Sequence, residues 1–261
     1  MRRYFRIWVR MAAMSLQAQL TYKLGAVGFL LGKLIRLVFF FAFVAAVFSH
    51  TDTLAGYSLV ETALFFLTFN IVDITAQIFF RGIYGARRTV ADGDFDFYLV
   101  QPCSPLFRMA CSMVDFLDIV TLVPVAVMTA VVFAHLPAGI SWMRYAAYFL
   151  LTLNGIGIAL GIHIFVAGLA VRTQELENAI WIYRDVMFMG KFPIDIYSAP
   201  ARWALTWVLP IAVMVSFPAK ALLGKLGPGA SLHAFLLSSS LLALSGWFWL
   251  NSIERYTSSS S

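Results

Sequence analysis

Charge is scarce in this 261-residue chain. Asp, Glu, Lys and Arg supply 12% of it, against about 25% in a typical soluble domain. Hydrophobic residues make up 61% and the mean hydropathy is +0.82. Burying that apolar excess would need a core with almost no surface around it, which excludes an ordinary soluble globule. Cysteine is nearly missing: Cys103 and Cys111 can build neither a disulfide framework nor a cysteine-rich metal site. The four histidines, His50, His135, His163 and His233, are scattered without metal-ligand spacing. No Gly-x-Ser-x-Gly occurs. The run from Gly28 to Gly32-Lys33-Leu34 is one residue short of a phosphate loop and lacks the Ser/Thr that would hold magnesium, so it reads as a small-xxx-small packing face. No catalytic residue and no metal site is expected, and any ATP would be hydrolysed by another chain.

The chain does contain long apolar runs. A spanning helix uses about 20 residues, so the length fits roughly six to eight spans and no large soluble domain. A first span is expected over 24–48, a second over 58–80, a third over 106–134 and a fourth over 142–171. Beyond them lie apolar stretches at 176–192, 203–223 and 232–250. Pro193, Pro200, Pro210 and Pro218 break the middle of that region, which favours a re-entrant hairpin over 193–222. The expectation is therefore an all-α integral membrane protein, one permease-sized domain over 1–261 with six spans.

No acid occurs among residues 1–22, where Arg2, Arg3, Arg6 and Arg10 alternate with aromatics. That pattern predicts an interfacial helix, and the absence of a continuous apolar core argues against a signal peptide. The first 23 residues carry five basic side chains, 81–88 carries three and the 50–57 link none. The N-terminus and the 81–104 loop are thus placed in the cytoplasm, and Arg255 favours the same side for the C-terminus. A net charge of +6 then points to an anionic leaflet and membrane lipid rather than nucleic acid. The tail at 257–261, one Thr followed by Ser, is low-complexity.

Polar residues inside the spans fall on helical faces: Lys33 and Arg36; Asn70, Asp73 and Gln77; Asp115 and Asp118. Placed ~12–18 Å from the cytoplasmic end, the acids and bases can pair, since an unpaired charge there costs at least ~2.5–3.5 kcal/mol. Two readings stand: a structural ion-pair cluster, or the polar wall of a vestibule or proton path. His163 reads as a packed histidine or a relay. Gly157-Ile-Ala-Leu-Gly161 is a GxxxG whose neighbour is either internal or a second subunit. The stretch with Arg87, Arg88, Asp92, Gly93, Asp94, Phe95, Asp96 and Tyr98, closed by Pro102 and Pro105, is too aromatic for a linker and should dock on membrane, on a partner or under its own helices.

As it stands at 88–106, Arg-x-x-x-Asp-Gly-Asp-Phe-Asp-Phe-Tyr-Leu-Val-Gln-Pro-x-Ser-Pro-Leu resembles the R-x-G-x-L-D-x-x-L-x-x-P loop of ABC type-2 exporter permeases. Phe192 to Tyr197, Trp207 to Pro210 and Phe217 to Gly224 are similar to one branch of that family. The family has Leu where Phe95 stands and a basic or neutral residue at Gln101. The resemblance implies a permease subunit of an ATP-driven exporter in the bacterial inner membrane. It implies pairing with a second permease, by preference a different chain, and coupling to two ABC ATPase subunits that hold ATP and magnesium; no cofactor is expected in this chain. It further implies that 1–22 is a connecting helix, that 88–99 is the coupling helix contacting the ATPase through Arg87, Arg88, Asp92, Gly93, Asp94, Phe95, Asp96 and Tyr98, and that 193–222 is an external gate. The alternative is a stand-alone proton- or sodium-coupled carrier using Asp73, Asp115 and Asp118, for which internal repeats are expected.

Overall fold

The computed structural model describes residues 2–21, 23–173 and 179–257, and among these it is helical with no named strand. The tail beyond residue 257 and positions 174–178 lie outside them. Helix α1 (Arg2–Thr21) is followed by α2 (Lys23–Phe48) and α3 (Leu59–Phe80). A 3-10 turn, Arg81–Gly85, leads into α4 (Ala86–Ala91) and α5 (Asp94–Val100), then α6 (Pro105–Ala110), α7 (Phe116–His135) and α8 (Trp142–Thr173). The remainder is α9 (Ala179–Met187), α10 (Ala199–Trp207), α11 (Phe217–Leu222) and α12 (Pro228–Glu254).

Local chemistry sets several of these boundaries. Ser58 Oγ accepts from the Glu61 amide at 3.3 Å, while Glu61 Oε2 accepts from the Ser58 amide at 2.8 Å; this reciprocal box fixes the start of α3. Gly93 turns between α4 and α5 at φ 79°, a conformation that a Cβ would strain. Asp94 and Asp96 then occupy the first turn of α5, where a negative charge suits the helix dipole.

Among the described residues five helices are long and apolar enough to cross a membrane, and a sixth crossing arises if α10 and the Ala212–Leu222 arm, bent by 83°, count together. Two expected spans differ from this. The 106–134 run is broken: α6 ends at Ala110, and α7 starts anew at Phe116 with Asp115 as its N-cap, accepting from the Leu117 amide. Asp115 therefore stands at a helix end rather than deep within a span. The described part of 176–192 forms the nine-residue α9 and a 3-10 turn, Phe188–Lys191. At ~1.5 Å per residue, α9 by itself falls far short of the ~30 Å hydrocarbon core.

Helix α8 is the spine, and its glycines decide what packs on it. A Cβ at Gly161 would meet Leu241 at 3.0 Å, one at Gly168 would meet Phe248 at 2.8 Å, and one at Gly155 would meet the Met214 carbonyl at 2.5 Å. The GxxxG therefore has an internal neighbour, α12, while Gly155 admits the backbone of the π-helical stretch Ala212–Ser216 that leads into α11. Gly28 and Gly32 of α2 face open space.

Gly155→Ala forces backbone against backbone and is expected to destabilise the protein by ~1–3 kcal/mol. Gly246→Ala, with no neighbour inside 4 Å, should be neutral or stabilising by up to ~1 kcal/mol. Thermal unfolding of the two variants in detergent separates the cases.

Candidate functional site

At the end of the bundle that carries α1 and α4–α6, the polar residues of three helices converge. Lys33 pairs with Asp118. Arg81 reaches Asp115 at 3.0 Å and Asp118 at 3.8 Å, and also donates to Gln77 Oε1 at 3.0 Å. Gln77 in turn donates to Asp73 at 3.4 Å. Asn70 caps the Phe66 carbonyl on its own helix at 2.8 Å. The expected set Lys33, Asp73, Gln77, Asp115 and Asp118 is thus brought into one chain of contacts, with Asn70 one turn away from it.

Arg36 does not join; its side chain is exposed. The second cation is Arg81, one residue beyond the span expected over 58–80. The signal for it was present: Asn70, Asp73, Gln77 and Arg81 continue one helical face through spacings of three, four and four. Arg81 sits in the 3-10 turn that ends α3, and Asp115 caps α7, so the ion pair ties one helix end to another. His163 is enclosed by the rings of Phe80, Tyr84 and Tyr183 at 5.3, 5.9 and 5.4 Å, which fits the packed reading.

The 86–100 segment projects from the same end. Its inner face is aromatic. Phe95 is wholly buried, with Tyr256 at 5.1 Å and Trp249 at 6.2 Å, both edge-on. A phenylalanine thus fills a slot that α12 and its C-terminal flank line with rings, and Phe95 faces inward instead of toward a partner. Tyr98 lies under the Arg108 guanidinium at 5.0 Å, and Arg108 donates to Gln101 at 3.1 Å. The outer face carries Arg88, Asp92 and Asp94 together with Phe97 (66% exposed) and Val100 (81% exposed). Arg88 pairs only loosely with Asp92, at 3.3 Å; Arg87 and Asp96 are half-buried, and Gly93 forms the turn. Helix α1 runs along the stretch that follows it: Arg3 donates to the Pro102 carbonyl, the Ser104 amide donates to the Tyr4 hydroxyl at 3.3 Å and Gln19 donates to the Val114 carbonyl at 3.1 Å.

At the opposite end, Asp195 gathers three partners that the sequence did not signal. Lys220 lies at 2.8 Å, the Tyr57 hydroxyl donates at 2.9 Å and Arg202 stands at 3.9 Å. Partial burial opposes ionisation, but the hydrogen bonds from Lys220 and Tyr57 and the two positive charges hold the carboxyl below its usual range. Burial and the hydrogen bond to Asp195 push the Tyr57 hydroxyl well up. Nearby, Lys225 pairs with Glu61 at 2.9 Å.

Together these features define a multi-pass membrane protein whose two ends are each locked by ion pairs, with a helical segment standing out from one of them. Residues 34–260 match the family described as ABC-2 family transporter protein, and the chain belongs to that family. The family is a membrane component of transport rather than a catalyst, and membership implies an ABC transporter with ATPase partners. Nothing among curated proteins and nothing among solved structures matches the chain.

Arg81→Gln strands Asp115 and is expected to destabilise the protein by ~3–5 kcal/mol, the range for breaking a buried pair. Arg36→Gln removes no ion pair and should leave thermal unfolding in detergent within ~0.5 kcal/mol of the parent. Asp195 gives a pH signature. Its folded pKa lies below its unfolded value, so its stabilisation is present above the ordinary carboxylate pKa and fades as pH falls through the depressed one. Unfolding curves followed through that acid range should show the loss, and Asp195→Asn should abolish that part of the pH dependence.

Proposed function

We propose that this chain is the permease subunit of an ATP-driven exporter, seated in the bacterial inner membrane with both termini in the cytoplasm. The observation that carries the reading is the outer face of α4–α5. Two exposed apolar side chains, Phe97 and Val100, stand beside Arg88, Asp92 and Asp94 on a short helix that is anchored from behind by Phe95. An apolar patch ringed by charge is a docking surface, and a helix wedged by its own buried ring moves with the body it is wedged into. On this reading α4–α5 is the coupling element, seated on one of two ATPase subunits. Arg87, Arg88, Asp92, Asp94, Asp96 and Tyr98 then belong to the contact or its rim, Gly93 gives the turn and Phe95 transmits. ATP and magnesium belong to the ATPase.

The remaining finer assignments follow. Helix α1, basic and aromatic, lies along the cytoplasmic membrane surface as a connecting helix. The 193–222 region is re-entrant: Asp195 before its first arm and Lys220 on its second arm are ion-paired, so both arms open to the same side. The sixth crossing that leaves both termini in the cytoplasm is the path from α9, whose Trp181 packs on Tyr84, to Asp195 beside Tyr57. Helix α2 is almost uncovered by its own chain, and its Gly28 and Gly32 face open space; a second permease, by preference a different chain, packs there. Alternating access then requires that ATPase closure and cargo bias the same two-state permease interface.

The double variant Arg88→Glu with Phe97→Ser should still insert and elute as a monodisperse protein, yet lose co-purification with its ATPase by at least about tenfold, equivalent to ~1.4 kcal/mol. Mild-detergent pull-down with mass spectrometry reads this. Undiminished ATPase recovery overturns the assignment.

A further inference from the structure

Two cations stand at mid-depth, Arg36 and Lys191, with no carboxylate among the described residues paired to either. Arg36 lies near the midpoint of α2, ~20 Å along it from Lys23. Lys191 sets its ammonium 4.3 Å from the ring centroid of Phe188 and 5.8 Å from that of Phe69. Both line one cavity of about 410 Å³, walled by Phe40, Phe66, Phe69 and Phe192 and by the carboxamide of Asn70. The rings form a continuous surface: Phe40 stacks on Phe66 at 3.5 Å and meets Phe192 at 5.3 Å.

Among the described residues, no carboxylate lies within ion-pairing distance of either cation. The neighbouring acids are already engaged: Asp118 and Asp115 by Lys33 and Arg81, Asp195 by Lys220, Asp73 by Gln77. A cation exposed to hydrocarbon at this depth is costly, and residues of this kind mark a pathway. Two like charges facing one low-dielectric cavity repel each other and attract an anion. The phenylalanines supply the rest of the complementarity, since they bind an apolar body and their π-faces already hold Lys191.

We propose that this cavity binds an anionic amphiphile. Its carboxylate, sulfonate or phosphate head sits between Arg36 and Lys191, where the planar guanidinium can engage two oxygens at once. Its apolar body lies among the phenylalanines. As a cargo class this rests on the permease reading above; as a binding site it does not.

The test uses the full chain in nanodiscs of zwitterionic phosphatidylcholine, without ATP or ATPase. The probe is a long-chain fatty acid bearing an alkyl diazirine, photolysed and mapped by peptide mass spectrometry. Labelling is expected on α2 and on the 188–192 segment. Laurate should compete for it, whereas dodecyltrimethylammonium and dodecanol should not. Arg36→Gln and Lys191→Gln should each weaken laurate competition by about tenfold, the loss of one hydrogen bond to a charged group, while Lys191→Arg should retain it.

Displacement of the probe by added phosphatidylglycerol would support the site and assign its anion to the bilayer. Resistance to that lipid, with competition by laurate, would support it and assign a free amphiphile. Labelling that all three competitors reduce equally overturns the proposal, as does labelling unchanged in both Gln variants or found elsewhere. Each Gln variant deletes a charge without removing a packed ring, and size-exclusion elution confirms the fold in the same samples. A failed binding test leaves the coupling assignment standing, and a missing ATPase partner leaves the binding result standing.

Discussion

The guanidinium of Arg81 holds the basic end of this bundle together. It sits at the foot of α3, bonds backward to Gln77, and reaches across to Asp115 at the head of α7 and to Asp118 one turn inside, which Lys33 of α2 engages from the other side. Three helices are therefore joined by two cations and two carboxylates. Carboxylates as buried as Asp115 and Asp118 are tolerable only in company, because each alone forfeits hydration that apolar neighbours cannot replace. The ionic contacts set where α7 begins: Asp115 is at once N-cap and ion-pair partner, so the helix starts where its carboxylate can serve both. That placement accounts for the break between α6 and α7 that interrupts an otherwise continuous hydrophobic run.

Helix α8 solves a different problem. Between apolar helices, hydrophobicity gives little preference for one partner over another, and close approach has to come from the absence of side chains. Gly161 and Gly168 let Leu241 and Phe248 of α12 press against the α8 backbone, and Gly155 does the same for Met214. These glycines are consumed inside the chain. The α2 glycines are not: Gly28 and Gly32 have no neighbour within 4 Å, and the permease reading uses that open face for its second subunit.

Much of this was readable beforehand, and the failures have physical causes. The runs at 24–48, 58–80 and 142–171, the basic amphipathic α1 and the polar faces of α2 and α3 follow from periodicity and hydropathy alone, as does a helix-breaking region around the prolines. The start of α7 was missed because hydropathy averages over Met113 and Val114 and does not register that a buried aspartate caps a helix. Arg81 escapes hydropathy because the apolar run ends at Phe80, although its spacing from Gln77 continues the polar face. Asp195, Tyr57 and Lys220 could not be found from one sequence, since their meeting depends on separations of 138 and 25 residues that only the tertiary path closes. Phe95 was legible as aromatic and therefore significant. Which way it faced was set by Trp249 and Tyr256, far along the chain.

Under the permease reading, one helix touches every region that the function requires. Helix α3 is capped at one end by Ser58 and Glu61, and Glu61 is tied to Lys225; its middle lends Phe66, Phe69 and Asn70 to the cation-bearing cavity; its foot continues through Arg81 into α4 and α5. It is buried along nearly its whole length, so it cannot bend without disturbing packing on all sides, and close-packed interiors switch between arrangements rather than deforming smoothly. A displacement imposed on α5 reaches α12 through Phe95 and α3 through the 81–85 turn, where Arg81 must carry Asp115 and α7 with it or release them. Under the permease reading, coupling therefore reduces to one question of geometry: whether Arg81 keeps both carboxylates in each of the two states. On the binding proposal, an anion between Arg36 and Lys191 would bear on that same helix at its midpoint, where the rings of α2 and α3 stack. The two sites are coupled only to the extent that the anion binds the two arrangements of α3 unequally, and the sign is set by which arrangement brings Phe66 and Phe69 toward Phe40.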